Sequence, residues 1–205
     1  MLEFMNLSEI LKFSRIYQLF QKAVGGNNFR KVLADEYIRP HSRMRILDIG
    51  CGTAEILDFM PEVDYYGFDL SEDYIAFARK YYGNRGHFEI AKVSEQTLEE
   101  LGTFDLILAI GVLHHLDDKE ASQLFKLAKS GMKPGASLIT IDGCKVPGQS
   151  MIAAKIMSFD RGGYIRNEDS YRRLASQSFA QVECVLRDDI LIIPYNHMIM
   201  RCSNN

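Results

Sequence analysis

Two groups of residues in this 205-residue sequence have types and spacings that could do chemistry. The first joins a glycine turn, Gly50-Cys51-Gly52, to Asp69, which closes the next strand-like run 19 residues after Gly50. Glycine lets the backbone turn sharply and approach a ligand more closely than any side chain permits. A carboxylate at a strand end can accept hydrogen bonds from both hydroxyls of a ribose. The combination predicts a site for a ligand that contains a nucleoside.

The second group is the pair His114 and His115, which follows the strand predicted at 104–110. An imidazole titrates near neutral pH and can act as a general base. One ring is expected to face the cleft while its neighbour points elsewhere, so the pair is the candidate for catalysis. The alternative is that both rings are structural and pack or cap the turn at Asp117. A metal site built from the pair and Asp117 lacks a second cluster of ligands, so no metal is predicted.

A further set of polar residues is expected at the same end of the molecule, where the loops of an α/β sheet determine specificity. An arginine there could hold a carboxylate or phosphate, although it could equally be plain surface charge. Tyr17 lies at a helical spacing that would also suit the buried apolar face of a helix. The residues 160–166 could simply end a helix, and His197 could lie exposed in a hairpin turn. The candidate substrate residues are Tyr17, Asp160, Arg161, Tyr164, Arg166 and His197.

These residues are positioned by alternating strand and helix patterns. Strands are predicted at 44–49, 64–68, 87–92, 104–110 and 136–142, and helices at 53–60, 72–82, 95–101, 118–130, 149–158 and 168–178. This alternation predicts an α/β fold in which helices cover a parallel, Rossmann-like sheet. Two later strands, 180–187 and 197–202, are expected to pair as an antiparallel hairpin. Two helices, 7–24 and 27–38, precede the sheet and are expected to cover one end of it.

Composition limits the class of protein. A chain of 205 residues with 47% apolar and 25% charged residues predicts one globular domain. A net charge of -3 with no basic face argues against nucleic-acid binding. The longest apolar run, 106–113, is too short and is broken by Gly111, so no membrane span is predicted. Glu3 stands where a signal peptide would be basic, and four widely spaced cysteines are typical of reduced thiols, so a cytoplasmic location is expected.

The acidic residues are concentrated around the glycine turn. Residues 46–78 hold eight Asp or Glu and no Lys or Arg. A nicotinamide dinucleotide would place its pyrophosphate on the helix after the turn, where Glu55 occupies the position of the third glycine and would repel it. S-adenosylmethionine carries a sulfonium, an ammonium and one carboxylate. Its net positive charge suits an acidic loop, and Asp48 and Asp69 at strand ends are the acids expected to serve it.

Four motifs then resemble the class I S-adenosylmethionine-dependent methyltransferases that act on small molecules. They lie in order between residues 44 and 142, and the flanks match less sharply. The four segments are Asp48-Ile-Gly-Cys-Gly-Thr, Gly67-Phe-Asp-Leu-Ser, Phe104-Asp-Leu-Ile-Leu-Ala-Ile-Gly-Val-Leu-His-His-Leu116 and Met132-Lys-Pro-Gly135. The resemblance implies a seven-stranded sheet with helices on both faces, the last strand antiparallel and an N-terminal helical lid. It divides the single domain 1–205 into a lid, 1–42, and a catalytic core, 43–205.

The resemblance also implies roles for individual residues. Gly50 and Gly52 would line the methionine part of the cofactor, and Asp69 would hold the ribose. Leu70 would flank the adenine, and the Ile110 backbone would meet the methionine ammonium. The cofactor-binding residues expected in total are Asp48, Gly50, Cys51, Gly52, Asp69, Leu70, Val93 and Ile110.

Two positions depart from the family pattern. Ala54 stands where a third loop glycine is frequent, a small change that should be tolerated. Lys92 stands where the family commonly has an acid that accepts from the adenine amino group. A cation cannot accept that hydrogen bond, so the contact is expected from the backbone near Val93 or from Glu95.

The resemblance implies a monomeric or homodimeric enzyme that methylates an oxygen or nitrogen atom of a small metabolite. Two alternatives remain open. The chain could be a regulatory module that binds S-adenosylmethionine without catalysis, because binding alone also requires the glycine turn and Asp69. It could also be an NAD-binding oxidoreductase, which Glu55 disfavours.

Overall fold

The computed structural model describes residues 25–158 and 162–204, and strands and helices alternate as the patterning predicts. The strands are β1 (Arg45–Ile49), β2 (Asp64–Asp69), β3 (His87–Ile90), β4 (Phe104–Ile110), β5 (Met132–Gly143), β6 (Gln181–Arg187) and β7 (His197–Ser203). The α-helices are α1 (Gly26–Val32), α2 (Glu72–Tyr82), α3 (Glu95–Leu101), α4 (Asp118–Ser130), α5 (Met151–Ser158) and α6 (Glu168–Ser176). Shorter helical segments are the π-helical Leu33–Ile38 and the 3-10 turns Glu55–Phe59 and Leu113–His115.

The strands of the described chain form one sheet in the order β3-β2-β1-β4-β5-β7-β6. β1 to β5 are parallel, and β7 runs antiparallel between β5 and β6. The predicted sheet, with its antiparallel last strand and tail hairpin, is therefore confirmed. Because the strand order reverses between β1 and β4, their carboxyl ends border a crevice of the kind in which open α/β sheets bind ligands.

Both faces of the sheet are buried, which explains the near-continuous apolar runs of the central strands. Successive residues point to opposite faces, so Leu47 and Ile107 join one core cluster while Ile46 and Leu106 join the other. The first cluster packs under α4 and α6, and the second packs under α2 and the π-helical segment. A sheet held from both sides gives the loops at its carboxyl edge a rigid base.

Helix caps keep the loops at that edge short. The Ser71 side chain accepts from the Tyr74 backbone N–H at the start of α2. Asp117 and Glu120 form a capping box at the start of α4. These caps fix where α2 and α4 begin after the ends of β2 and β4.

Three predicted elements differ in extent. The helix predicted at 53–60 is only the 3-10 turn Glu55–Phe59, because Ala54 has a left-handed φ of 57° and a right-handed helix cannot include it. The third strand ends at Ile90. β5 begins at Met132, earlier than the predicted strand 136–142. Its pairing with β4 is irregular near Phe104, so the first residues of β5 do not follow a regular strand pattern in the sequence.

The helix predicted at 27–38 is present as α1 and the π-helical segment. The helix predicted at 7–24, with Tyr17, lies outside the described residues, and so do Asp160 and Arg161. The division into a lid and a core accordingly stays a prediction. Within the described residues, none of the helices has the length and apolar character needed to cross a bilayer.

Candidate active site

The glycine turn after β1 is shaped by its backbone. Gly50 and Gly52 have φ values of 76° and 55°, a region that favours glycine. The backbone N–H groups of Gly50 and Cys51 both donate to the Phe68 carbonyl of β2, at 2.7 and 3.0 Å. A Cβ built on Gly50 would lie 2.6 Å from a methyl of Val112, whereas one built on Gly52 would meet no atom within 4 Å. The turn is therefore packed on one side and open at Gly52.

Asp69, the last residue of β2, is held against this turn. One carboxylate oxygen accepts from the Gly52 backbone N–H at 3.0 Å, and the other accepts from the Ser71 N–H at 2.8 Å. Each oxygen keeps further acceptor capacity for a ligand. The predicted pairing of the glycine turn with a strand-end acid is thus a direct contact.

Asp48 lies within β1, one residue before the strand ends, and its side chain is buried. One oxygen accepts from the Tyr65 hydroxyl at 2.5 Å, while the other is buried with no hydrogen-bond partner. Burial raises the pKa of Asp48 to about 6; the Tyr65 hydrogen bond opposes this shift, and the nearby charge of Asp69 adds to it. The crevice therefore contains a carboxylate with unmet capacity to attract a cation.

The other predicted cofactor residues surround the same crevice. Leu70 follows Asp69 and is exposed, Val93 is buried after β3, and Ile110 ends β4 half-buried. The Cys51 thiol is half-buried, and burial raises its pKa, so it is not a nucleophile at neutral pH. Lys92, in the position of the usual acid, is exposed. Their roles toward a cofactor stay predictions.

The environment of Glu55 contradicts the charge argument made from the sequence. Its carboxylate forms an ion pair with Arg30 of α1 at 2.5 Å, and both side chains are largely buried. A cation from outside the segment 46–78 therefore neutralises the acid that was expected to repel a pyrophosphate. That reason for excluding a dinucleotide was wrong, and the choice of cofactor rests on the fold and the comparisons below.

The two histidines occupy different environments in the turn Leu113–His115. His114 is buried and His115 is exposed, with ring centroids 4.1 Å apart. Asp142 of β5, also buried, has one oxygen 2.8 Å from His114 Nδ1 and 3.1 Å from the His114 backbone nitrogen. Burial raises the pKa of Asp142, and the hydrogen bonds from His114 oppose the rise. Sequence reasoning identified His114 but missed Asp142, which lies 28 residues away on the neighbouring strand.

The tautomer of His114 follows from this geometry. The Asp142 oxygen that faces Nδ1 already accepts from a backbone N–H, which can only donate. When Asp142 is ionised, that oxygen can only accept, and Nδ1 carries the proton. Nε2 is then the ring nitrogen that can accept a proton, as in other sites where a carboxylate orients a histidine.

Arg166 is buried and connects several loops. Its guanidinium donates to the carbonyls of Leu113, Tyr164 and Leu116 at 2.7 to 3.1 Å, and it pairs with Asp118 at 2.8 Å. These contacts engage all of its N–H groups. The geometry makes Arg166 a brace for the turn that carries His114.

The two remaining described candidates lie at the edge of the same region. Tyr164 has 48% of its surface exposed. His197 is buried at the start of β7, opposite Gly143 in the register, and its ring lies 4.8 Å from that of Tyr195. A Cβ on Gly143 would lie 2.3 Å from the Tyr195 hydroxyl, so this tyrosine, which sequence reasoning missed, covers the end of β5. Within residues 25–158 and 162–204, no group of acidic, histidine and cysteine side chains is suited to holding a metal ion.

Known proteins share this architecture. Residues 47–138 match the family model of a methyltransferase domain. The chain is 28% identical over 176 residues to phosphoethanolamine N-methyltransferase of Triticum aestivum, an alignment that covers 82% of this chain and 34% of that protein. The chain thus spans about a third of the length of this relative.

Two solved structures have the same fold. Human N-acetylserotonin methyltransferase in complex with S-adenosylmethionine has a TM-score of 0.69 and 18% identity, and the match covers 97% of this chain and 56% of that chain. Magnesium protoporphyrin IX methyltransferase from Synechocystis, with bound S-adenosylhomocysteine, has a TM-score of 0.64 and 19% identity, and covers 97% and 96% of the two chains. These structures share the fold of this chain, and residues 47–138 are similar to a methyltransferase domain.

The crevice between the carboxyl ends of β1 and β4 fits S-adenosylmethionine on its own geometry. Gly52 faces open space, Asp69 presents a carboxylate beside it, and Asp48 has a buried oxygen without a partner. Two negative groups beside an open backbone turn suit a ligand that carries a ribose and two positive centres. The His114–Asp142 pair lies next to this crevice in sequence order, with His114 in the turn after β4 and Asp142 near the end of β5.

Proposed function

We propose that this methyltransferase moves a methyl group from S-adenosylmethionine to an oxygen or nitrogen atom of a small-molecule acceptor. The observation that supports this most strongly is the hydrogen-bonded pair of His114 and Asp142, buried beside the crevice that fits the cofactor. A buried carboxylate that fixes the tautomer of a histidine is a feature of acid–base catalysis. A site that only bound the cofactor would not need it.

The cofactor half of the site binds through residues of β1, β2 and the turn between β1 and the next helix. Asp69 accepts from the ribose hydroxyls, and the open backbone at Gly52 lies along the methionine part. The Ile110 backbone, at the end of β4, binds the methionine ammonium. Leu70 and Val93 border the adenine, and Asp48 and Cys51 support the turn from beneath.

The chemistry needs alignment more than activation. S-adenosylmethionine, when bound, supplies an electrophilic methyl group with an activated leaving group. The protein therefore has to hold the acceptor atom in line at close distance and exclude water. A base contributes where the acceptor loses a proton, and such a base is worth about 10² to 10⁴-fold in rate.

His114 is the proposed base. Asp142 accepts a hydrogen bond from His114 Nδ1, with 2.8 Å between the nitrogen and the oxygen. Nε2 is then the ring nitrogen that would take up the proton from the acceptor. The carboxylate also stabilises the imidazolium that forms. His115 is exposed and its ring lies tilted beside this one, with centroids 4.1 Å apart, so its role is to pack beside the base.

The acceptor is expected to lie between the His114 turn and the start of β7. Tyr164 and His197 are its proposed contacts, and Tyr17, Asp160 and Arg161 remain candidates outside the described residues. Arg166 is committed to backbone carbonyls and to Asp118, so it does not serve as the anion clamp suggested by the sequence. The name of the wheat relative points to an amine acceptor, and oxygen acceptors belong in the same test.

The surroundings of the enzyme are also proposals. The four cysteines are free thiols, which supports a reducing, cytoplasmic compartment. The acidic net charge of -3 supports small-molecule acceptors over nucleic acid. A monomer or a homodimer is proposed.

The test is product formation. The protein is incubated with S-adenosylmethionine and a panel of amine and hydroxyl metabolites, and S-adenosylhomocysteine is quantified, with Asp69→Ala as the control that weakens the cofactor site. We expect product with a subset of the panel and none from the control at low cofactor concentration. Tight binding of S-adenosylmethionine with no product across the panel would instead favour a regulatory binding module.

A further inference from the structure

The segment 162–166 contacts the His114 turn through backbone and side-chain hydrogen bonds. The Tyr164 backbone N–H donates to the His114 carbonyl at 2.9 Å. The Arg166 side chain donates to the carbonyls of Leu113 and Leu116, which flank the histidine. The segment itself is tied to the end of β5, because the Lys145 N–H donates to the Arg166 carbonyl at 3.0 Å. The catalytic turn is therefore braced by backbone contacts from both β5 and this segment.

Gly162 makes the closest approach to the ring. A Cβ built on Gly162 would lie 1.9 Å from His114 Cδ2 and 2.6 Å from the His114 carbonyl oxygen. One of these contacts is to backbone, so a side chain could not be accommodated by a rotamer change. On the other side of Nε2, a Cβ on Gly111 would lie 3.7 Å from Cε1. The two ring carbons next to Nε2 are thus bordered by glycines, of which Gly162 is much the closer.

We propose that Gly162 is a positioning residue for His114: its missing side chain lets the imidazole stand with Nδ1 hydrogen-bonded to Asp142. Arg166 supports the same arrangement by fixing the two carbonyls on either side of the histidine. The expected effect on kcat rests on the proposed function, whereas the expected effect on the orientation of the His114 ring does not. Neither residue touches the cofactor turn.

The adjacent glycine provides a matched control. Gly163 has no atom within 4 Å of a Cβ position and no positive φ, so Gly163→Ala adds the same methyl one residue later in open space. Gly162→Ala adds it against the ring and carbonyl of His114. A general stiffening of the segment would affect both variants alike, whereas displacement of the imidazole would affect only the first.

The experiment measures the ring directly. Nitrogen-15 NMR of the labelled protein with S-adenosylmethionine reports the tautomer of His114 and the hydrogen-bonded Nδ1 proton. In Gly162→Ala we expect loss of that proton signal, a fall in kcat of about tenfold or more with the panel acceptor, and less than about a twofold change in cofactor Kd. Gly163→Ala should keep the wild-type spectrum and rate.

A second variant covers the case in which Gly162→Ala does not fold. Arg166→Lys keeps the charge but cannot span several carbonyls, and should perturb the same resonance. Wild-type His114 resonances in the folded variants would overturn the positioning role. A perturbed resonance with an unchanged kcat would support the positioning role and overturn His114 as the base, so the two proposals fail separately.

Discussion

Two buried aspartates stand near the carboxyl ends of parallel strands on either side of β4, and their partners differ. Asp48 of β1 accepts from the phenol of Tyr65, a group that stays protonated. Asp142 of β5 accepts from the imidazole of His114, a group that can take up a second proton. Each aspartate also has one buried oxygen without a partner. Under the proposed function, the same residue type in equivalent places supplies negative charge at the proposed cofactor side and orients the proposed base at the proposed acceptor side.

The proposed function assigns binding and chemistry to different parts of this one sheet. The cofactor side is formed by backbone turns and acids close in sequence, and it attracts positive charge. The acceptor side is formed by side chains brought together from the turn after β4, from β5 and from the segment 162–166. Changes on one side should therefore alter affinity, and changes on the other should alter rate.

The largest expected effect is on rate. His114→Asn should lower kcat by about 10² to 10⁴-fold, because the base is lost, with little change in the Kd for S-adenosylmethionine. His115→Asn, one residue later and exposed, should lower kcat less than about tenfold. Steady-state release of S-adenosylhomocysteine measures both. Equal losses in the two variants would contradict the assignment of the base to His114.

Asp48 is expected to affect the pH dependence of stability. Its pKa is about 6 in the folded protein against an ordinary value of 3.8, so protonation stabilises the fold and this contribution is lost as pH rises from about 4 to about 6. Two pKa units correspond to about 3 kcal/mol. The free energy of unfolding of Asp48→Asn relative to wild type should therefore rise by about 3 kcal/mol between pH 4 and pH 8. Denaturant titrations at the two pH values measure it, and parallel pH profiles would contradict the buried-carboxylate account.

Asp69 tests the cofactor side. Asp69→Ala should weaken S-adenosylmethionine binding at least about tenfold, because the ribose loses its charged acceptor and the Gly52 N–H loses its partner. Asp58→Asn removes another acid of the same block, one that accepts only from Tyr82 in the described structure, and should leave the affinity unchanged. If both variants weaken binding equally, general acidity rather than the Asp69 position attracts the cofactor.

The smallest expected effect separates the two glycines of the turn. Alanine at either position incurs a backbone penalty of about 1 to 2 kcal/mol for its positive φ. Gly50→Ala also meets Val112, so it should lose about 1 kcal/mol more of unfolding free energy than Gly52→Ala. In thermal melts, the double variant Gly50→Ala/Val112→Ala should regain part of the stability that Gly50→Ala loses. No regain would show that the clash is not with Val112.

The cofactor side was largely predictable from the sequence because its parts are local. Strand, turn, strand and acid follow one another within about twenty residues, so their spacing alone predicts the contact between Asp69 and the turn. The charge argument at Glu55 failed because its partner, Arg30, comes from a helix that precedes the segment. Local counting cannot detect a partner brought in by tertiary packing.

The acceptor side was only partly predictable. His114 and His115 are neighbours in the sequence, which gives no sign that one is buried and the other exposed. The turn that separates them depends on Asp142, 28 residues from His114, and on Arg166, 53 residues from the Leu113 carbonyl to which it donates. Gly162 has no recognisable pattern at all, since its role depends only on what lies against it. Such pairings are set by strand order and loop packing, which periodicity does not encode.

The central claim, that binding and chemistry belong to different sides of the sheet, is tested most directly by calorimetric titration of S-adenosylmethionine into three proteins. Relative to wild type, Asp69→Ala should bind at least about tenfold more weakly, and Asp142→Asn should bind within about a factor of two. A Kd weakened as strongly by Asp142→Asn as by Asp69→Ala, or unaffected by Asp69→Ala, would contradict the claim.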